Sequence, residues 1–513
     1  MSAPTVPVLI AGGGPTGLAT ALELAHHGVR SLVVEPRAEV SWLRPRAKTT
    51  SARTMELLRR WGLARAVRDR AVLPVAWSDR AVFATALLGR EITRFHGCFG
   101  LDLTGDDRAA EPGQQITQPA VEQVLREAVA ASPHAALRTG ARVTALRQDA
   151  GGVTATVTVT ADDGAEEHVR AAYAVGCDGA RSVVRDAIGA RYEGSSDGRP
   201  NFNIVFRAPG LADRVPHGAA VHYWVLRPDQ PGLVGRLDLA DTWWCIGQGV
   251  TQAEGEADPV RVVRTLVGAD IDPEILATDP WTARMLLADR YARGRVFLAG
   301  DAAHQNPPWG GHGFNTGVGD AVNLGWKLAA VLNGWAPPDL LDSYEAERRP
   351  IAARTIAEAA RNMATLAPEL ADPRLTGTGA EFDAARPAVA AAVQRTKAAE
   401  FHSLDLVLGY TYAGSPVVSA TGGDRLPHRW LAHGLSRYDR LGRGLTLLGD
   451  LTDPAAADFA KTAEAEGVPL ELADDGGPGL TLVRPDQHVA WRTEDGGAVR
   501  DVLRRATGHK EHR

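Results

Sequence analysis

Val6-Pro7-Val8-Leu9-Ile10-Ala11-Gly12-Gly13-Gly14-Pro15-Thr16-Gly17 is the stretch that decides the fold. A short apolar run ends in a glycine-rich turn. Leu18, Ala21, Leu22 and Ala25 then recur three or four apart until Gly28 stops the pattern, which predicts a helix. Ser31-Leu32-Val33-Val34-Glu35 reads as a second buried strand closed by an acid. Strand, glycine turn, helix, strand and acid in this order form a dinucleotide-binding unit. Gly12 permits the tight turn, Gly14 lets a pyrophosphate approach the backbone, and Gly17 lets the helix pack close to the strand. The helix N-terminus carries partial positive charge for the phosphates, and Glu35 would accept hydrogen bonds from an adenosine ribose.

The rest of the chain bounds what surrounds this unit. With 513 residues the length suggests three domains, at roughly 150 residues each. A hydrophobic share of 44% and a charged share of 23% exclude disorder and coiled coil. The 54 glycines and 31 prolines suit a loop-rich α/β protein whose backbone approaches ligands closely. The net charge of −6 provides no basic field for nucleic acid. No apolar run reaches the ~20 residues of a membrane span. Cys98, Cys177 and Cys245 lie far apart, which argues against disulfides and zinc, and no other metal site is expected. Met1 to Ile10 lacks a basic leader and reads as a first strand, so the cytoplasm is the expected compartment.

Further along, Arg44-Pro45-Arg46-Ala47 precedes an amphipathic segment from Thr54 to Trp61, and taken alone both arginines read as surface charge. Residues 75–111 look like strands and loops. A helix is expected over Pro119 to Ala131, preceded by Gln118. Strands follow at Arg142 to Leu146 and Gly152 to Thr160, the second bounded by an Asp162-Asp163-Gly164 turn signal. A further strand runs from Ala171 into Cys177-Asp178-Gly179-Ala180-Arg181-Ser182, and residues 200–250 are β-rich with no helix of length. Arg295 to Asp301 is another apolar strand closed by an acid. It leads through a Gly-rich segment into a long helix that passes Val322 and Trp326 and ends near Leu332. Two more helical stretches reach roughly residue 400, with an irregular region at 366–386. The tail reads as βαβ, then a hairpin around Arg484-Pro485-Asp486-Gln487, then a helix over Ala498 to Thr507.

GGGPTG at 12–17 with Glu35, CDGARS at 177–182 and LAGDAAHQNPPWGGHGFNTG at 298–317 together resemble the single-component FAD-dependent aromatic hydroxylases, or class A flavoprotein monooxygenases. The tail resembles the thioredoxin-like C-terminal domain of the polyketide and phenol hydroxylase branch, and no cysteine lies beyond Cys245 to give it thiol chemistry. The fold implied is α/β, with a GR2-type Rossmann-like FAD-binding domain, an inserted β-rich substrate domain and a C-terminal thioredoxin-like domain. The implied boundaries are 1–74, 112–185 and 282–398 for FAD, 75–111 and 186–281 for substrate, and 399–513 for the tail.

The resemblance assigns FAD contacts to Gly12, Gly14, Pro15, Thr16, Gly17, Glu35, Arg46, Gln118 and Val143. Asp178 matches a position serving flavin-domain packing and the nicotinamide cofactor. Asp301 would be a buried acid that binds the ribityl and pyrophosphate side. Pro308 would sit where oxygen adds. Gly311, Gly313, Phe314 and Asn315 would bring backbone and a helix N-terminus to the flavin. His312 either touches the flavin or packs beside it; many members carry Gly-Gln or Gly-Leu with Met-Asn where this chain has Gly311 to Asn315.

The implied reaction takes NADPH or NADH, O2 and an aromatic substrate to a hydroxylated product through a flavin C4a-hydroperoxide. No second strand–glycine–helix unit is visible, so the nicotinamide cofactor would dock transiently. The resemblance leaves a homodimer open. A phenol titrates near ~10 and reacts better as phenolate, so a base or hydrogen-bond partner should face it. His222, Tyr223 and Arg236, with His96, are the candidates, each with a sheet-packing alternative. Trp224, Trp243 and Trp244 either line an aromatic pocket or pack strands. Trp243-Trp244-Cys245-Ile246 lacks the W-x-W-x-I-P signature of flavin halogenases. A plain NAD-dependent dehydrogenase leaves residues 301–317 unexplained. A non-turnover flavin-binding or substrate-sequestering protein and another flavin oxidoreductase of the same fold are the remaining alternatives.

Overall fold

The computed structural model describes residues 6–159, 164–364, 370 and 372–509. Thr160, the Asp162-Asp163 turn signal and part of the 366–386 stretch lie outside them. Among the described residues no helix is long and apolar enough to cross a membrane.

The glycine unit builds the centre of the first sheet. Strand Val6–Ala11 pairs in parallel with Ser31–Glu35 on one side and with Glu166–Gly176 on the other. Val296–Leu298 and Ala135–Thr139 extend the sheet at its two sides. The apolar runs are continuous because helices cover the faces of a parallel sheet. Helix Pro15–His26 opens on proline, whose missing N–H costs nothing at that position. Three residue stretches far apart in sequence thus deliver Gly12, Asp178 and Asp301 to neighbouring strand ends, because their strands lie side by side. Ala135–Thr139 was not anticipated, and Ala141–Asp149 runs longer than the alternation predicted.

The second sheet has eight strands, ordered His304–Gln305, Glu274–Ala288, Tyr192–Arg207, Thr242–Gln248, Gly232–Arg236, His222–Val225, Ala81–Ala84 and Glu91–Phe95. Its residues alternate between two apolar clusters, as a strand period of two requires. Trp224, Trp244 and Phe83 enter one, and Tyr223, Trp243 and Cys245 enter the other. Helix Pro259–Val267 covers that second face through Val262, Val263 and Leu266.

The tail forms a four-stranded sheet ordered Leu470–Ala473, Leu445–Gly449, Leu480–Val483 and Val489–Arg492, with helices Pro454–Glu466 and Val499–Ala506. Its first two strands are parallel and the rest antiparallel. The Arg484-to-Gln487 turn is more than a hairpin loop. It inserts against helices Gly313–Leu332 and Ser343–Ala364, where Lys327, Glu347, Arg484 and Asp486 are all buried. Arg484 forks onto Glu347 at 2.5 and 2.8 Å and reaches Asp486 at 2.6 Å. Lys327 donates to Glu347 at 2.7 Å, and Ser415 donates to it at 2.6 Å. Arg53 donates to the Asp486 carbonyl at 2.8 Å and to Gln487.

Burial favours a neutral Glu347, yet Arg484 and Lys327 hold its pKa down at about 2. Its contribution to stability is therefore present above the ordinary value of 4.5 and is lost as pH falls from there towards 2. Glu347→Ala leaves the buried Lys327 without its acid and takes one of two acids from Arg484, and should cost about 3–5 kcal/mol in urea unfolding. Glu347→Gln should show a shallower acid limb than the wild type, and an unchanged limb would contradict the assignment.

Candidate active site

A cavity of about 950 Å³ lies between the carboxyl ends of the parallel strands and one face of the eight-stranded sheet. At one end the glycines divide the work. Gly12 has φ +100, and a Cβ there would lie 2.2 Å from the Cys177 carbonyl oxygen. A Cβ at Gly17 would lie 1.9 Å from the Gly12 oxygen, so both glycines serve close chain packing. A Cβ at Gly14 would meet nothing within 4 Å, which leaves its backbone open to the cavity beside Pro15 and Thr16. Glu35 accepts from Gly13 N at 2.7 Å and from Arg37 N and Nε at 3.0 and 2.7 Å, which fixes its carboxylate on the wall.

Arg46 also lines the cavity and has φ +46, rare for a non-glycine residue. Its loop is held because Gln118 N donates to the Pro45 and Ala47 carbonyls, at 3.2 and 2.8 Å. Val143 lines the wall where the strand pairing slips by one residue. Asp178 accepts from Ser182 Oγ at 2.5 Å and from Val184 N at 3.2 Å, so it braces helix Val183–Ala187 while reaching the cavity. Its burial raises its pKa, against those hydrogen bonds.

Asp301 departs from expectation. Its carboxylate is exposed on the cavity wall, so the cost of an unpaired buried acid does not apply to it. The buried acid is Asp320, one helix away. Its Oδ2 accepts from Gly300 N at 3.1 Å and lies 2.7 Å from His304 Nε2, and its Oδ1 accepts from Arg348 Nε at 2.8 Å.

Pro308, Gly311, Gly313 and Phe314 line the cavity, and the helix that begins at Gly313 opens there with nothing within 4 Å of a Cβ at that glycine. His312 and Asn315 do not line it; His312 packs behind the loop, one of the two placements expected of it, and Asn315 lies behind the loop as well. Asn315 donates to the Gly311 and Thr49 carbonyls at 2.7 and 3.3 Å and accepts from Ser51 N at 3.0 Å, which ties the glycine loop to the neighbouring chain. His312 is buried beneath Gly310, and burial lowers its pKa to about 4, so it is neutral.

At the aromatic end, alternation separates the candidates. His222, Trp224 and Trp244 line the cavity. Tyr223 points to the other face, where its hydroxyl donates to the Gly218 carbonyl at 2.5 Å. Arg236 is spent on the Asp238 and Ala240 carbonyls at 2.9 and 2.6 Å, and Trp243 packs beside it. His96 is exposed and off the wall, its carbonyl accepting from His402. Tyr223, Arg236, His96 and Trp243 are therefore withdrawn from the cavity.

The wall also holds residues that the sequence did not single out: Lys48, Glu400, Trp281 and Trp309. Lys48 Nζ lies 4.1 Å from the centre of the Trp244 ring. Glu400 is buried, which raises its pKa, and it accepts from Lys397 Nζ at 3.1 Å. Trp281 donates to Asn203 Oδ1 at 2.7 Å and packs at 6.0 Å from Trp309. Among the described residues no group of three His, Cys, Asp or Glu side chains could hold a metal.

Comparison with known proteins agrees with this geometry. The family model described as "FAD binding domain" matches residues 5–359, and "Aromatic-ring hydroxylase, C-terminal" matches residues 419–509. A 4-methyl-5-nitrocatechol 5-monooxygenase of Burkholderia sp is 35% identical over 564 residues, with 97% of each chain covered. Aklavinone 12-hydroxylase RdmE of Streptomyces purpurascens is 34% identical over 556 residues, with 98% of each covered. The solved structure of the rebeccamycin biosynthetic enzyme RebC with reduced flavin superposes with a TM-score of 0.90 at 34% identity, covering 99% of this chain and 100% of that one.

The two glycine roles give opposite expectations. Gly12→Ala forces a strained φ and a backbone clash, and should cost at least ~2 kcal/mol of stability. Gly14→Ala fits and should stay within ~1 kcal/mol of the wild type. Chemical unfolding of both variants checks this.

Proposed function

The chain belongs to the class A FAD-dependent aromatic-ring hydroxylases of the phenol and polyketide branch, monooxygenases of aromatic substrates, and from that premise we propose which residues hold each reactant. The single observation that carries the assignment is one cavity opened by two helix N-termini, at Pro15 and Gly313, and closed at its other end by aromatic rings.

The residues present fit FAD. Gly14 and Gly313 offer open backbone where a side chain would intrude, and a dinucleotide needs that at its phosphates and ring. Glu35 would hold the ribose. Pro15, Thr16, Arg46 and Gln118 would hold the pyrophosphate side, with Val143 packing alongside, and Asp301 would accept from the ribityl hydroxyls. Pro308, Gly311, Gly313 and Phe314 would bound the ring, and His312 and Asn315 would position that loop from behind. Asp178 would brace the site and face the nicotinamide cofactor.

When bound, FAD supplies activation of O2 after taking a hydride from NADPH or NADH. This chain's own residues orient, exclude water and stabilise charge. The N–H groups at Gly313 present positive potential to an anionic ring edge. Trp224, Trp244, Trp281 and Trp309 provide a flat, dry wall on which an aromatic substrate stacks. His222 is held neutral, its pKa lowered to about 3 by burial and then by Lys48, so it offers a hydrogen bond rather than charge.

On this reading residues 75–111 and 186–281 form the substrate domain, and the tail is a thioredoxin-like domain without redox chemistry, supported by its sheet order and lack of cysteine. Three free cysteines suit a reducing compartment. Purified protein should be yellow and should oxidise NAD(P)H faster with an aromatic substrate. With heavy-isotope O2 the product should carry one labelled oxygen; peroxide alone would refute hydroxylation of that compound. Asp301→Ala should weaken FAD binding roughly tenfold, the worth of one good hydrogen bond to a charged group.

A further inference from the structure

The charges around the aromatic end do not balance. Arg44 and Asp279 neutralise each other, with Nη2 and Oδ1 2.7 Å apart. Glu400 and Lys397 do the same at 3.1 Å. His222 is neutral, and burial raises the Cys245 thiol far above its ordinary range, so it is neutral too. Lys48 is left. Among the described residues its ammonium makes no ion pair or hydrogen bond and rests only on the face of Trp244, at 4.1 Å. Arg284, further along the wall, adds charge of the same sign.

Lys48 is also fixed in place. Ile116 N donates to its carbonyl at 2.9 Å, and Gln118 N donates to the Ala47 carbonyl just before it. The side chain therefore starts from the segment that carries Arg46 and crosses to the substrate sheet. Burial lowers its pKa to about 8, partly offset by Asp279, so it is mostly protonated at neutral pH. An uncompensated, half-desolvated cation of this kind is costly unless an anion completes it.

We propose that Lys48 is the specificity-determining residue of the substrate end, pairing with an anionic oxygen, phenolate or carboxylate, on a planar aromatic that stacks against Trp244. The proposal rests on the cavity being the substrate site. Paired with a phenol, the positive charge of Lys48 favours the ionised oxygen, so more of the ring enters the reaction in its more nucleophilic form.

The test uses FAD-loaded enzyme and three fluorescent or absorbing probes: 7-hydroxycoumarin, coumarin-3-carboxylate and the neutral 7-methoxycoumarin. Wild type should bind the carboxylate, and the hydroxycoumarin in its ionised form, more tightly than the ether. Lys48→Met should lose roughly tenfold or more in affinity for at least one anion, as expected for a charge-assisted hydrogen bond, and keep the ether and its yellow colour. The carboxylate and phenolate arms show which anion the site takes. For the carboxylate, ionised throughout, wild-type affinity should fall as pH rises through about 8, where Lys48 loses its proton, and for the phenol the same fall should appear in the affinity of its ionised form; Lys48→Arg should bind either without that fall. Equal losses for anions and ether in Lys48→Met, or no loss, overturn the role of Lys48. Wild type that binds the ether without preferring anions does so as well. Wild type that binds none of the three overturns, with it, the reading of the cavity on which it rests.

Discussion

Asp320 is a carboxylate with no solvent exposure, and the cavity wall depends on it. Burial alone would raise its pKa, but His304 and Arg348 outweigh burial and lower it, so the acid is ionised in the interior. An isolated buried ion would cost several kcal/mol. Here both oxygens are saturated by His304, Arg348 and the Gly300 amide. The result is geometric. The Gly300-Asp301 turn is pinned to the middle of the Gly313–Leu332 helix, so the two strand-end acids and the helix N-terminus keep one spacing. Arg348 carries the constraint outward, donating to Tyr412 at 3.1 Å and joining the wall to the C-terminal segment.

Local patterns were readable and cross-chain ones were not. The glycine unit at 6–35 contains its own strand, turn, helix and acid, so each residue's backbone demand is written next to its cause. The same holds for the 298–317 segment, which lines the cavity at Pro308, Gly311, Gly313 and Phe314. Alternation put His222 and Tyr223 on opposite faces, but only the packed sheet shows which face meets the cavity. Asp301 looked like a buried acid because its strand is apolar, yet the strand ends one turn before it and leaves the carboxylate open. Lys48 was hidden beside Arg44 and Arg46 because the Trp244 ring it rests on lies far along the chain, and Glu400 sits in an alanine-rich helix whose local pattern does not show that it meets the cavity. Strand Ala135–Thr139 had no signal of its own; pairing with Ser31–Glu35 makes it a strand.

The two sheets contribute different physics to one cavity. The sheet built on the glycine unit, through the parallel strands at its centre, offers peptide dipoles and glycine backbone, which suit phosphates and a polar ring edge. The mixed sheet offers indole faces on one side and seals its other side with Val262, Val263 and Leu266. At the seam, Arg44 with Asp279 couples the two contributions through hydrogen bonds, and Trp281 against Trp309 does so through ring contact.

The turn at Arg484 to Gln487 bears on how the chain is made. The strands and helices of the flavin-binding lobe are all synthesised before this turn leaves the ribosome. Until then the face it will cover is centred on Lys327 and Glu347, a solvated ion pair rather than a bare apolar patch. A growing chain that displays such a face is less prone to stick to its neighbours during the interval. Docking of the tail later turns the same pair into a water-free lock, so one set of charges keeps the unfinished chain soluble and holds the finished one together.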